Sequence, residues 1–166
     1  MPVSLQSPDG PLHGASRRTL GHGAMVGGGP HALAALSALH AGLDGVGGPD
    51  AASRPEVCVI DPGSHFMESW NTRFDALHID HLRSPAFAHP VAFEPTALVN
   101  FAIQEGRTSE LSDAPVCCWV PTTDLSAQGR LLKALPSNAL FRDFCRSLEA
   151  KLPHRWLSGT AASVCK

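Results

Sequence analysis

Six consecutive residues, Gly27, Gly28, Gly29, Pro30, His31 and Ala32, form the sharpest chemical feature of the chain. They fit the spacing G-x-G-x-x-G/A, with Ala32 in the third place. Each position has a physical task. The first glycine permits a tight turn, and the second lets the backbone approach a pyrophosphate. A small third residue lets the following helix pack onto a strand. The first turn of that helix then offers free N–H groups to the anion. Asp61 is the natural companion, because a carboxylate at the end of the next strand can accept hydrogen bonds from ribose hydroxyls. The interval from Ala32 to Asp61 is 29 residues, against about 20 in the common form of the unit. A loop at 43–55 accounts for the excess. A simpler reading of Asp61, as a turn former before Pro62-Gly63, stays open.

Other reactive residues form weaker patterns. His78, Asp80, His81 and His89 invite a metal reading, since positions 78 and 81 would share a helix face. Pro85 and Pro90 make that region loop-like, and the plainer expectation is ordinary loop histidines. Ser64 follows Gly63 but lacks the second glycine of a nucleophile elbow. The five cysteines, Cys58, Cys117, Cys118, Cys145 and Cys165, are odd in number and contain no C-x-x-C. That argues against a disulfide scaffold and a zinc ribbon, and suits a reducing compartment. Tyrosine is absent, so no step can rest on one.

The elements that must position these residues are legible in part. Ala24-Met25-Val26 is a short apolar run that ends at the glycines. Pro30 to Ala41, with Leu33, Leu36 and Leu39, reads as an amphipathic helix with Pro in its first turn and Gly42 placed to stop it. Val57-Cys58-Val59-Ile60 reads as a strand buried on both faces that ends at Asp61. One departure stands out: Gly21 and Gly23 would weaken the first strand if it were central. Residues 64–93 show no sustained period and read as a loop-dominated segment. Thr96–Gln104 is a helix candidate, with Ala97, Leu98 and Phe101 on one face. Ser137 is placed to cap a helix running to Leu152, with Pro153 behind it.

Length and composition set the frame. The chain has 166 residues, 43% of them hydrophobic and 17% charged, which fits one α/β domain and excludes a disordered chain. The net charge of −2 gives no electrostatic footprint for nucleic acid or acidic membranes. No apolar run approaches the ~20 residues of a membrane span. Residues 1–22 read as a flexible leader with only a weak organelle-targeting character, which leaves a cytoplasmic location as the expectation. Residues 23–157 form the domain, with a loop-rich second half, and 158–166 a disordered tail.

Beyond these features, Val57-Cys-Val-Ile-Asp-Pro, Trp70-Asn-Thr-Arg-Phe74, Ile79-Asp-His-Leu-Arg-Ser-Pro85 and His89-Pro90 carry a family likeness. Gly106-Arg107 and Pro136–Leu148 (PSNALFRDFCRSL) extend it. Together they resemble the N-terminal FAD-binding part of FAD/NAD(P)-binding oxidoreductases similar to lysine and ornithine N-hydroxylating monooxygenases. The likeness spans roughly residues 24–150, interrupted at 43–55 and 112–130. It implies an incomplete Rossmann-like FAD-binding domain and an oxygen-activating flavin that hydroxylates an amine. Gly27, Gly29 and Ala32 would then seat the FAD pyrophosphate and Asp61 the adenosine ribose. Trp70 matches an aromatic position near the flavin. Arg83 matches a basic position beside it, and Arg142 a basic residue on the helix leading toward a second domain. For each a plainer role stays open: core for Trp70, surface for Arg83, and the solvated helix face for Arg142. No second Gly-rich turn suits NADPH. That cofactor would need a missing C-terminal domain or a second chain, and the chain alone is not expected to oxidise it. The alternatives are a nucleotide-binding module without redox chemistry and an S-adenosylmethionine-dependent methyltransferase-like domain.

Overall fold

The computed structural model describes residues 23–45, 56–112 and 127–160. The expected leader at 1–22, most of the 43–55 loop, and Cys117, Cys118 and Cys165 lie outside the described residues. The chain runs as strand β1 (Gly23–Val26), helix α1 (Pro30–Gly45), strand β2 (Val57–Asp61) and helix α2 (Glu68–Ala76). Helix α3 (Ala97–Gln104), strand β3 (Leu111–Ser112), helix α4 (Ala127–Lys133) and strand β4 (Leu135–Pro136) follow. Helix α5 (Asn138–Glu149) and strand β5 (Arg155–Ser158) complete it. Short 3-10 turns occupy Ala86–Ala88 and Thr108–Glu110.

The fold is mixed α/β. Strands β1, β2 and β5 form a parallel sheet in the order β1-β2-β5, with Val26 opposite Ile60 and Asp61 opposite Ser158. Strand β2 is therefore central, and its Val57 and Val59 are buried while Cys58 and Ile60 are half-buried. Strand β1 lies at the edge, with Gly23, Ala24 and Val26 exposed. Its glycine thus sits where no neighbour on the outer side needs a full ladder. A separate antiparallel pair joins β3 to β4.

Helix α1 buries Leu33, Leu36, Ser37 and His40, the i, i+3, i+4, i+7 stripe of a helix laid on a core. Helix α5 buries Leu140, Phe141, Phe144 and Cys145. Leu98, Val99 and Ala102 of α3 join the same core. Ser137 caps α5 as its sequence position implies: its Oγ accepts a hydrogen bond from the Leu140 N–H at 2.9 Å.

Four expectations need correction. Helix α1 does not stop at Gly42 but runs to Gly45. A single internal glycine costs only about 1 kcal/mol, which the buried stripe behind it outweighs. Helix α2 forms within the stretch read as loop. Its sequence, ESWNTRFDA, buries only Asn71 fully, and its N-cap residue Met67 is left-handed with no side-chain cap, so neither period nor capping announced it. Helix α5 ends at Glu149 rather than Leu152. Pro153 pushes Leu152 out of the helical region, and 3-10 type bonds from Lys151 to Leu148 and from Leu152 to Glu149 tighten the exit. Finally, a strand does follow that helix. Ser158, assigned to the tail, belongs to β5, and the next N–H, of Gly159, bonds Asp61 O at 2.9 Å. Residues 161–166 lie outside the described residues.

Candidate functional site

The glycine turn joins β1 to α1 at the C-terminal end of the parallel sheet. Gly27 has φ 97°, a left-handed value that strongly favours glycine, and its N–H bonds Ile60 O at 2.9 Å. Gly28 is glycine for a different reason. A Cβ there would lie 2.5 Å from Cη2 of Trp156, whose indole covers the turn. Trp156 is itself fixed, donating from Nε1 to Gly63 O at 2.7 Å and meeting Phe66 edge-on at 5.3 Å. Among the described residues Gly29 faces open space: a Cβ would meet nothing within 4 Å. That vacant volume is where a phosphate could approach the backbone.

Asp61 holds the turn together. Its Oδ2 accepts the Gly28 N–H at 2.7 Å and its Oδ1 accepts the Gly63 N–H at 2.8 Å. Of the two readings left open by the sequence, these bonds show the turn former. The carboxylate organises the turn at 61–63 and also reaches across to the glycine turn. Each oxygen keeps a second acceptor direction, so the carboxylate can still receive a hydroxyl. Beyond it, Glu68 accepts the Ser64 N–H at 2.6 Å and the Ser64 Oγ–H at 2.9 Å. Those bonds hold its carboxyl below the ordinary range.

The first turn of α1 carries no acidic residue, so its positive end is not neutralised from within. Pro30, His31 and Ala34 of this helix line a cavity of about 300 Å³ with Trp70, Leu82, Ser84, Ala88, His89, Pro90 and Phe141. A neighbouring cavity of about 380 Å³ shares Trp70, Leu82 and Ser84 and adds Phe74, Ile79, His81 and Arg83. Trp70 stands between them, stacked on Phe74 at 4.3 Å and 21°. Its Nε1 is buried with no hydrogen-bond partner among the described residues.

The structure therefore brings Pro30, His31 and Trp70 to one cavity and Arg83 to the adjoining one, with the glycine turn leading into the helix above them. Ala32 is half-buried and packs against the core, as a small residue at that position should. Arg83 is exposed and reaches its cavity from the surface. Arg142 leaves the solvated-face role: it bonds Asp75 at 2.6 Å and ties α5 to α2.

The histidines separate. His78 takes the left-handed position after α2, at φ 51°. Its N–H bonds Asp75 O and the Ile79 N–H bonds Phe74 O, the pair of bonds that closes a helix C-terminus. His81 pairs with Ser137 in an isolated bridge. Among the described residues no three His, Cys, Asp or Glu side chains are grouped to hold a metal. His89 lines the cavity of about 300 Å³ and His81 the neighbouring one. Burial depresses the His89 imidazole to about 4, so it is neutral near pH 7.

Three residues of the site were not singled out as site residues from the sequence. Trp156 lies 128 residues beyond Gly28, and nothing local marks it as the cover of the turn. Ser84 and Phe141 reach the cavity through packing of the 82–90 segment on α5. A second polar cluster lies away from the site: Arg107 bonds Glu110 through two nitrogens at 2.6 and 2.9 Å and Asp143 at 2.7 Å. Ser137 Oγ donates to Glu110 at 2.5 Å. The cluster pins the 107–110 turn to α5.

Among the described residues no helix is long and apolar enough to cross a membrane. No protein-family model, no curated protein and no solved structure matches the chain.

Proposed function

We propose that this chain is a dinucleotide-binding domain of Rossmann type that takes FAD, as the flavin-binding part of an amine-hydroxylating monooxygenase. The observation that carries the reading is the open glycine turn itself. Gly29 leaves room for a pyrophosphate above the first turn of α1, which carries no acidic side chain of its own, and an aromatic-walled cavity adjoins that turn. Asp61, anchored at the end of β2, is placed to accept the adenosine ribose. Trp70 supplies an aromatic wall and Arg83 a positive charge at the rim. When bound, FAD supplies a ring that accepts hydride and activates oxygen.

The residues of the chain have simpler tasks. The helix end and the Gly29 and His31 N–H groups favour the diphosphate charge. Trp70, Leu82 and Phe141 exclude water from the ring. Neutral His89 adds no charge to that pocket. In this reading NADPH is held by a further domain or a second chain.

Titration of the protein with FAD, read by flavin fluorescence, tests the proposal. Saturable binding that ADP competes away is the expected result, because ADP carries the ribose and diphosphate alone. Absence of saturable binding by either nucleotide overturns it.

A further inference from the structure

We infer that His89 is a specificity-determining residue of this cavity, with Nδ1 accepting a hydrogen bond from the N3–H edge of the bound flavin. The inference rests on the FAD reading above and adds which atom of the chain recognises the ring.

The contact with Ser84 assigns the tautomer. Nε2 of His89 lies 3.4 Å from the carbonyl oxygen of Ser84. A carbonyl oxygen can only accept, so Nε2 carries the proton and Nδ1 the lone pair. Nδ1 forms no hydrogen bond among the described residues, and it is not sealed among the buried side-chain atoms that lack a partner. The ring is held in place by Phe141, at a centroid distance of 4.6 Å and a tilt of 48°. The imidazole stays uncharged near neutral pH because burial depresses its pKa to about 4. The cavity of about 300 Å³ has aromatic and aliphatic walls from Trp70, Phe141 and Leu82, and His89 is among the residues that line it.

A planar ring with an N–H donor on its edge is the complementary ligand. In FAD both the flavin N3–H and the adenine amino group fit that description. The position of Asp61 decides between them. If it takes the adenosine ribose at the end of β2, the flavin is left for the cavity on the Pro30 and His31 side of the turn.

The discriminating probe is FAD methylated at N3, in which a methyl group replaces the donor hydrogen. The wild-type chain is expected to bind FAD about tenfold more tightly than 3-methyl-FAD, the equivalent of one neutral hydrogen bond. His89→Phe keeps a ring against Phe141 but has no acceptor. It should bind the two flavins equally, while its affinity for ADP stays at the wild-type value. His89→Gln, which restores an acceptor, should recover part of the preference. Equal affinity of the wild-type chain for both flavins overturns the inference, and competition by ADP in the same experiment would leave the dinucleotide reading standing. Loss of ADP affinity in His89→Phe with a folded circular-dichroism spectrum would place the adenine in the cavity and overturn the flavin assignment. Failure of FAD and ADP alike to bind the wild-type chain overturns both.

Discussion

Asp61 shows how much a single side chain decides here. By accepting two backbone N–H groups from turns that follow different strands, it sets the shape of the glycine turn before any ligand arrives. Removing it leaves both N–H groups without that acceptor. Asp61→Ala should therefore destabilise the chain by about 1–3 kcal/mol, the range for hydrogen bonds to a charged group, as well as weakening FAD. Urea denaturation without ligand checks this, and an unchanged midpoint would mean that the carboxylate is not structural. His89 provides a second prediction at this scale. Its folded-state pKa, about 4, lies below the ordinary 6.5, so the unfolded chain binds the extra proton between those values. Its contribution is fully present above pH 6.5 and is lost as pH falls through 4, by up to about 3 kcal/mol. His89→Gln should flatten that part of the stability profile, and parallel profiles for the two proteins would remove His89 as the cause. Both residues stood out in the sequence by type. The partner of each was invisible, because Gly28 and Ser84 interact through backbone atoms that any residue carries.

At the scale of elements, legibility followed local signals. Strand β2 and helices α1, α3 and α5 were visible because apolar residues recur with a period and because Pro30 and Ser137 mark helix starts. Helix α2 was not, since most of its residues are polar and its start depends on Met67 adopting a left-handed backbone. Strand β5, Arg155–Ser158, carries only two apolar side chains and owes its existence to the free side of β2. The capping of α5 offers a direct test. Ser137 Oγ accepts from Leu140 and donates to Glu110, whose carboxyl is held below its ordinary range first by Arg107 and then by this hydroxyl. Ser137→Ala should cost about 1–2 kcal/mol in thermal or urea unfolding. It should leave FAD affinity nearly unchanged, because the cap lies outside the flavin cavity. A strong loss of FAD binding with unchanged stability would contradict that separation.

For the whole molecule, the sequence foresaw an α/β arrangement with the glycine turn between a strand and a helix, and the parallel β1–β2 pair around α1 agrees with it. The order β1-β2-β5 was beyond reach. It depends on a crossover from Asp61 to Arg155, longer than any periodicity argument can follow, and on Trp156 folding back over Gly28. The cavity walls likewise come from α1, α2, the 82–90 segment and α5, so only the assembled fold brings them together. The glycine turn thus has two vulnerable positions, and Gly27 is one of them because its φ of 97° disfavours any side chain. Gly28 cannot take a side chain without moving Trp156, whereas Gly29 can, because the space beside it is open.

Comparing FAD titrations of the wild-type chain and Gly29→Val is thus the most direct test of the central claim. Valine fills the volume assigned to the pyrophosphate, and among the described residues nothing lies within 4 Å of its Cβ. The account predicts a folded variant whose urea midpoint lies close to that of the wild type and whose FAD affinity is at least ~100-fold weaker, equivalent to about 3 kcal/mol. A folded variant that binds FAD as tightly as the wild-type chain would contradict it, and would show that the phosphates do not sit on this turn.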